Sequence, residues 1–110
     1  MELKDLSKDE RSLLLFLETQ AVDYWGAVDA THMNKEDFDI AKKWKEEGFI
    51  KFGRIYSEDL NTTILFKHLG THWVELSDQA WEFAHQERKA RSDRMTKVRK
   101  WRKTEEKDIL

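Results

Sequence analysis

The sequence predicts an α+β fold, with helices around a small antiparallel β-sheet and a long helix at the C-terminal end. Three observations predict it. Apolar residues recur at three- and four-residue intervals after a capping box at Ser7 and again after Asn34. Directly beyond Gly48 the period shortens to two, as in a half-buried strand. A Ser-capped helical pattern then opens at Ser77 and becomes steadily more polar toward the C-terminus.

With 110 residues and 39% apolar content, the chain can bury one modest core and not two. It has no cysteine, so apolar packing has to hold that core without disulfides, and five Trp and six Phe are available to supply it. No run approaches the roughly 20 apolar residues that span a bilayer, and the N-terminal "MELKDLSKDER" is charged where a signal peptide is apolar. The expectation is a cytoplasmic protein with no membrane partner.

Taken in order, Ser7 to Glu10 form the S-x-x-E box that caps a first helix, in which Leu13, Leu14, Leu17, Ala21 and Tyr24 make the inward stripe until Gly26 interrupts it. Ala27 and Val28 suit a short strand, and Asp29 suits the start of a single helical turn. Asn34 caps the next helix, whose inward stripe is Ile40, Ala41 and Trp44 with Met33 entering on the same side. Gly48 is placed to end that helix in a left-handed cap. Ile50, Phe52 and Ile55 then alternate with Lys51 and Arg54 in a strand. "SEDLN" is a turn-rich loop, "TTILFKHL" has the composition of a second strand, and Gly70 separates it from "HWVEL". These strands suggest an antiparallel meander. Ser77 caps the last helix, with Leu76 and Trp81 spaced as a hydrophobic staple. Ala80, Trp81, Phe83 and Ala84 suit packing on the core, whereas beyond Glu87 the apolar residues thin to Ala90, Met95, Val98 and Trp101.

This order resembles the winged-helix (winged helix-turn-helix) superfamily. Its recognition helix often ends in a leucine-x-x-x-glycine-apolar-isoleucine phrase, here Trp44, Gly48, Phe49 and Ile50, and its hairpin returns into a leucine-threonine-x-x-glycine phrase, here Leu76, Ser77 and Ala80. The stretch from Asn34 to Ala84 is most similar to the small YjcQ-type proteins of bacilli and their phages. The chain departs from the pattern in reducing the second helix to a turn around Asp29 to Met33 and in placing Ala80 where a glycine is usual. The resemblance implies a winged-helix domain at 1–85, a basic helical extension at 86–110, and a small DNA-binding, transcription-regulator-like protein of bacterial or phage type.

The charge pattern bears on that implication. Net charge is −2, yet residues Gln86 to Lys103 hold nine Lys or Arg against Glu87 and Asp93, a local +7 that leaves −9 elsewhere. The cations Arg88, Lys89, Arg91, Arg94, Lys97 and Arg99 suit a phosphate backbone, and the same residues also suit a solvated helix. On the would-be recognition helix the outward face holds Lys35, Phe38, Asp39, Lys42 and Glu46, and from Asn34 to Glu47 four Lys meet five acids. Base reading favours Arg on guanine and Asn or Gln on adenine, and this face presents neither. The expected wing tip carries the acids Glu58 and Asp59.

Catalytic and metal chemistry find little support. His68 and His72 are spaced H-x₃-H across Gly70, where a turn does not align two imidazoles, and no thiolate is available. Glu82 and His85 make a single E-x-x-H, and the four glycines form no phosphate loop. The expectation is a non-enzymatic protein without cofactors that binds double-stranded DNA. The alternative is a protein-interaction winged helix whose acidic body docks a basic partner or mimics DNA. In that case Met95, Val98 and Trp101 on the tail mediate a homodimer.

Overall fold

The computed structural model describes residues 1–55 and 70–109, with side chains through 96. Among the described residues the fold is α+β, with three α-helices and a three-stranded antiparallel sheet. Helix α1 spans Lys8–Asp23 and begins where the capping box places it. The Glu10 N–H donates to Ser7 Oγ and the Ser7 N–H to the Glu10 carboxylate, each at 3.1 Å. Leu13, Leu14, Leu15 and Leu17 are buried from this helix, as is Gln20, whose Oε1 accepts the Asp29 N–H at 3.2 Å. Strand β1 is only Ala27–Val28, and Asp29 caps the single 3-10 turn that follows, Ala30–His32.

Helix α2, Lys35–Glu46, is capped by Asn34, whose side-chain oxygen accepts the Asp37 N–H at 2.8 Å. It ends at Gly48, where φ is +77°, a left-handed conformation that glycine adopts without a steric cost. There the chain turns directly into β2, Ile50–Arg54, which pairs with β3, His72–Leu76. The register sets Ile50 against Leu76, Phe52 against Val74 and Arg54 against His72, so alternate side chains of both strands turn into the core. The segments "SEDLN" and "TTILFKHL", with Glu58, Asp59 and His68, lie outside the described residues.

The sheet is antiparallel but not a meander. Its order is β1-β3-β2, because Ala27 and Val28 pair with Trp73 and His72 and so seat the last strand in the middle. Ser77 then caps α3, Asp78–Ile109, with its Oγ accepting the Ala80 N–H at 3.1 Å. This one helix runs unbroken past residue 85. At 1.5 Å per residue its 32 residues measure about 48 Å, against a longest molecular dimension of 61 Å.

Trp44 sits at the centre of the core with no exposed surface. Its indole meets the Phe49 ring edge-on at 5.2 Å, and Phe49 in turn meets Phe83 of α3 at 5.6 Å. One aromatic chain therefore ties α2, the start of β2 and α3 together. The buried Nε1–H of Trp44 has no acceptor among the described residues, so Trp44 stabilises the fold by filling space and not by hydrogen bonding. Trp44→Ala should cost about 3–5 kcal/mol, while Trp44→Phe should cost clearly less because it also removes an unpaired donor. Urea unfolding of the two variants checks the order, and equal losses would place the indole N–H in a hydrogen bond.

Candidate functional site

The basic stretch of α3 does not lie free along its length. Glu18 and Glu87 are buried, at 5% and 3% exposure, and a carboxylate in such a position needs a partner to offset its lost hydration. Arginines supply it. Arg88 reaches Glu18 through Nε, and its Nη2 donates to Thr19 Oγ1 at 2.7 Å and to the Leu15 carbonyl at 3.2 Å, fixing α3 to the last turns of α1. Glu87 receives Arg91 Nε at 2.9 Å, Arg94 at 3.6 Å and Arg11 from α1 at 4.0 Å. Arg91 also reaches Ser12 Oγ at 3.4 Å.

Three of the sequence-predicted site residues, Arg88, Arg91 and Arg94, are thus brought together on internal carboxylates, although each keeps an exposed edge. With Arg11 they set four guanidiniums against two buried carboxylates, a cluster of net +2 whose arginines are engaged inside the fold. Lys89 pairs with Asp93 on the surface at 3.0 Å. The side chains of Lys97, Arg99, Val98 and Trp101 lie outside the described residues, on a helix that continues to Ile109. Met95 is half exposed.

The two acids that organise this cluster were legible as positions, because Glu18 follows Leu14 by four residues and Glu87 follows Phe83 by four, each in phase with a buried stripe. A carboxylate in a core phase signals a cation reaching in from a neighbouring element. Counting Glu87 only as a charge to subtract from the tail hides that signal.

On α2, Lys35 and Lys42 are exposed and share their face with Asp39 and Glu46, as expected. Phe38 differs. It does not point outward but is half-buried, edge-on to Phe52 at 6.3 Å and tilted over His72 at 5.6 Å, because the β2–β3 pair packs along that flank of the helix. Asn34, the only amide near this face, is engaged as the cap. Between the N-terminal ends of α1 and α2 lies an acidic groove lined by Asp9, Glu36 and Asp37 around Leu13 and Phe16. On the other side, Lys45, Lys51 and Arg54 border an open cleft with Trp73.

His72 lies flat on Phe52, with ring centroids 5.5 Å apart, and makes a 2.8 Å hydrogen bond with Thr71 Oγ1. Burial among these rings, with the Arg54 charge beside it, holds its pKa below the ordinary histidine value. Among the described residues no three His, Asp or Glu side chains converge as metal ligands, and no helix is long and apolar enough to cross a membrane. No family model, curated protein or solved structure matches the chain.

A histidine with a lowered folded pKa binds its proton more readily when unfolded, so its contribution to stability is full above the unfolded value of about 6.5 and is lost as pH falls below it. His72→Phe keeps the ring stack without the titration. The melting temperature of the wild type should therefore fall more between about pH 7.5 and pH 5 than that of His72→Phe. Parallel curves would show that His72 is as easily protonated folded as unfolded.

Proposed function

We propose that this chain is a small non-enzymatic winged-helix protein that binds double-stranded DNA, chiefly through the part of α3 beyond its contact with α1 and with little sequence preference. Among the described residues, the element order helix, strand, turn, helix, antiparallel strand pair, helix and the strand order β1-β3-β2 support the winged-helix reading. The observation that carries the DNA reading is the reach of α3. Arg91 is its last residue with a described contact to α1, and the helix runs on to Ile109, about 27 Å further.

That projecting segment bears Lys97, Arg99, Lys100, Arg102 and Lys103 in one run, with Glu105, Glu106 and Asp108 following near its end. The five cations of that run outnumber what the Arg88, Arg91 and Arg94 cluster retains once Glu18 and Glu87 are offset, and the whole stretch from 92 to 109 is still net +3. A basic rod of this kind tracks phosphates and does not read bases. Helix α2 adds Lys35 and Lys42 only against Asp39 and Glu46, so it contributes orientation at most.

A second reading is favoured by the acidic groove at Asp9, Glu36 and Asp37. The same basic segment, with Met95, Val98 and Trp101 recurring every third residue, matches that groove in charge. A second copy of the chain would then be the partner, and the protein an interaction module.

The two readings separate in a salt titration with random duplex DNA run beside a measurement of solution mass. If the five distal cations meet phosphates, log K should fall against log salt with a slope of about −4.5, and the triple variant Lys97→Gln, Arg99→Gln, Arg102→Gln should flatten it by about 2.7. The triple variant Arg88→Ala, Arg91→Ala, Arg94→Ala should lower the melting temperature and alter the slope less. Absence of binding at about 50 mM salt, together with a dimer that the distal variant dissociates, would replace the DNA reading with the interaction reading.

A further inference from the structure

The cleft beside Trp73 has no role in the function just proposed, and its construction is specific. Trp73 stands on the outward face of β3 directly opposite Gly53 of the edge strand β2. A Cβ on Gly53 would lie 2.9 Å from Trp73 Nε1 and 3.0 Å from Cε2 and Cζ2, so the indole lies over the space a side chain at 53 would occupy. An aromatic covering an edge-strand glycine protects the ladder, and that alone explains why one face of the ring is covered. It does not explain the surroundings. Trp73 keeps 36% of its surface exposed, and the open cleft it borders, about 610 Å³, is flanked by Lys45 from α2 and Lys51 from β2, with Arg54 at its margin on the His72 side of the strand. None of these three cations is ion-paired among the described residues. Among the described residues no carboxylate lines the cleft, although Glu75 faces Lys51 across the ladder.

We propose that this cleft along the β2 edge of the β2–β3 pair is a second nucleic-acid site, specific for single strands, in which one unpaired base stacks on Trp73 while Lys45 and Lys51 hold the phosphates on either side. The commitment to single strands follows from the geometry of stacking. A base in a duplex has both faces covered by its neighbours, whereas an unpaired base offers its face to an indole. Ring stacking accepts any base, and the cations ask only for phosphate, so the site recognises backbone and strandedness and not sequence. Lys51 is the weaker of the two cations because Glu75 offsets it. The site is independent of the α3 segment, and either can fail without the other.

The test uses the full-length protein and fluorescein-labelled dT12, followed by anisotropy at about 50 mM salt. The wild type should bind. Trp73→Ala should weaken binding about tenfold or more, and Trp73→Phe should recover part of the loss. Gly53→Ala is the sharper variant, because it displaces the indole while leaving every charge in place, and it should weaken binding with its melting temperature reported alongside. Lys45→Gln with Lys51→Gln should flatten the salt slope by about 1.4. Glu75→Gln should tighten binding. If dT12 does not bind, or if both Trp73→Phe and Gly53→Ala fold and bind like wild type, the proposal is overturned. It is equally overturned if only the distal variant at Lys97, Arg99 and Arg102 loses dT12, since the strand then follows α3. Retention of dT12 binding with no duplex binding would sink the α3 reading and leave this one standing.

Discussion

The rest of the structure depends on how two buried carboxylates are compensated. Glu18 and Glu87 occupy positions that the helical phase assigns to apolar side chains, and without cations within reach each would destabilise the packing of α1 on α3. Arg88 meets Glu18 and also ties into Thr19 and the Leu15 carbonyl, while Arg11, Arg91 and Arg94 surround Glu87. Together these contacts set where α3 lies against α1. They also set the point beyond which α3 has no described contact with α1. A stability requirement inside the domain thereby engages the first arginines of a basic helix in holding α3 to α1.

The sheet and α2 are positioned by a different constraint. Trp44, Phe49 and Phe83 form one continuous aromatic contact through the centre, and the left-handed Gly48 turns the chain from α2 into β2 within that contact. The tightness of the turn brings Phe38 down onto Phe52 and His72 and leaves Lys45 beside the β2 edge, bordering the Trp73 cleft. The stretch "KKWKEEGFIKFGR" therefore builds the core with Trp44, Phe49, Ile50 and Phe52 and lines the Trp73 cleft with Lys45, Lys51 and Arg54.

Much of this was legible because the signals are local. The caps at Ser7, Asn34 and Ser77, the turn at Asp29 and the reversal at Gly48 each depend on a few adjacent residues, and each lies where those residues place it. Strand order was not legible, since nothing near Ala27 says that its partner is Trp73 and not a residue of β2. Phe38 was misplaced because an ideal helical wheel has no knowledge of the strand pair packed along its flank. The ion-pair network needed contacts 69 to 79 residues apart between α1 and α3. The cleft needed the cross-strand register that sets Trp73 on Gly53. Charge counting showed how many cations the tail holds and not which of them are already engaged.

The division of α3 can be observed without changing a residue, through the side-chain Nε–H resonances of its arginines in a ¹⁵N-labelled sample titrated with duplex DNA at low salt. Guanidiniums held by buried carboxylates exchange slowly with water and keep their environment when a ligand binds elsewhere. The account predicts sharp Nε–H signals for Arg88 and Arg91 that stay in place, while those of Arg99 and Arg102 shift as DNA is added. Movement of the Arg88 and Arg91 signals with Arg99 and Arg102 unaffected would contradict it, and would return the nucleic-acid contact to the part of the helix that here holds the domain together.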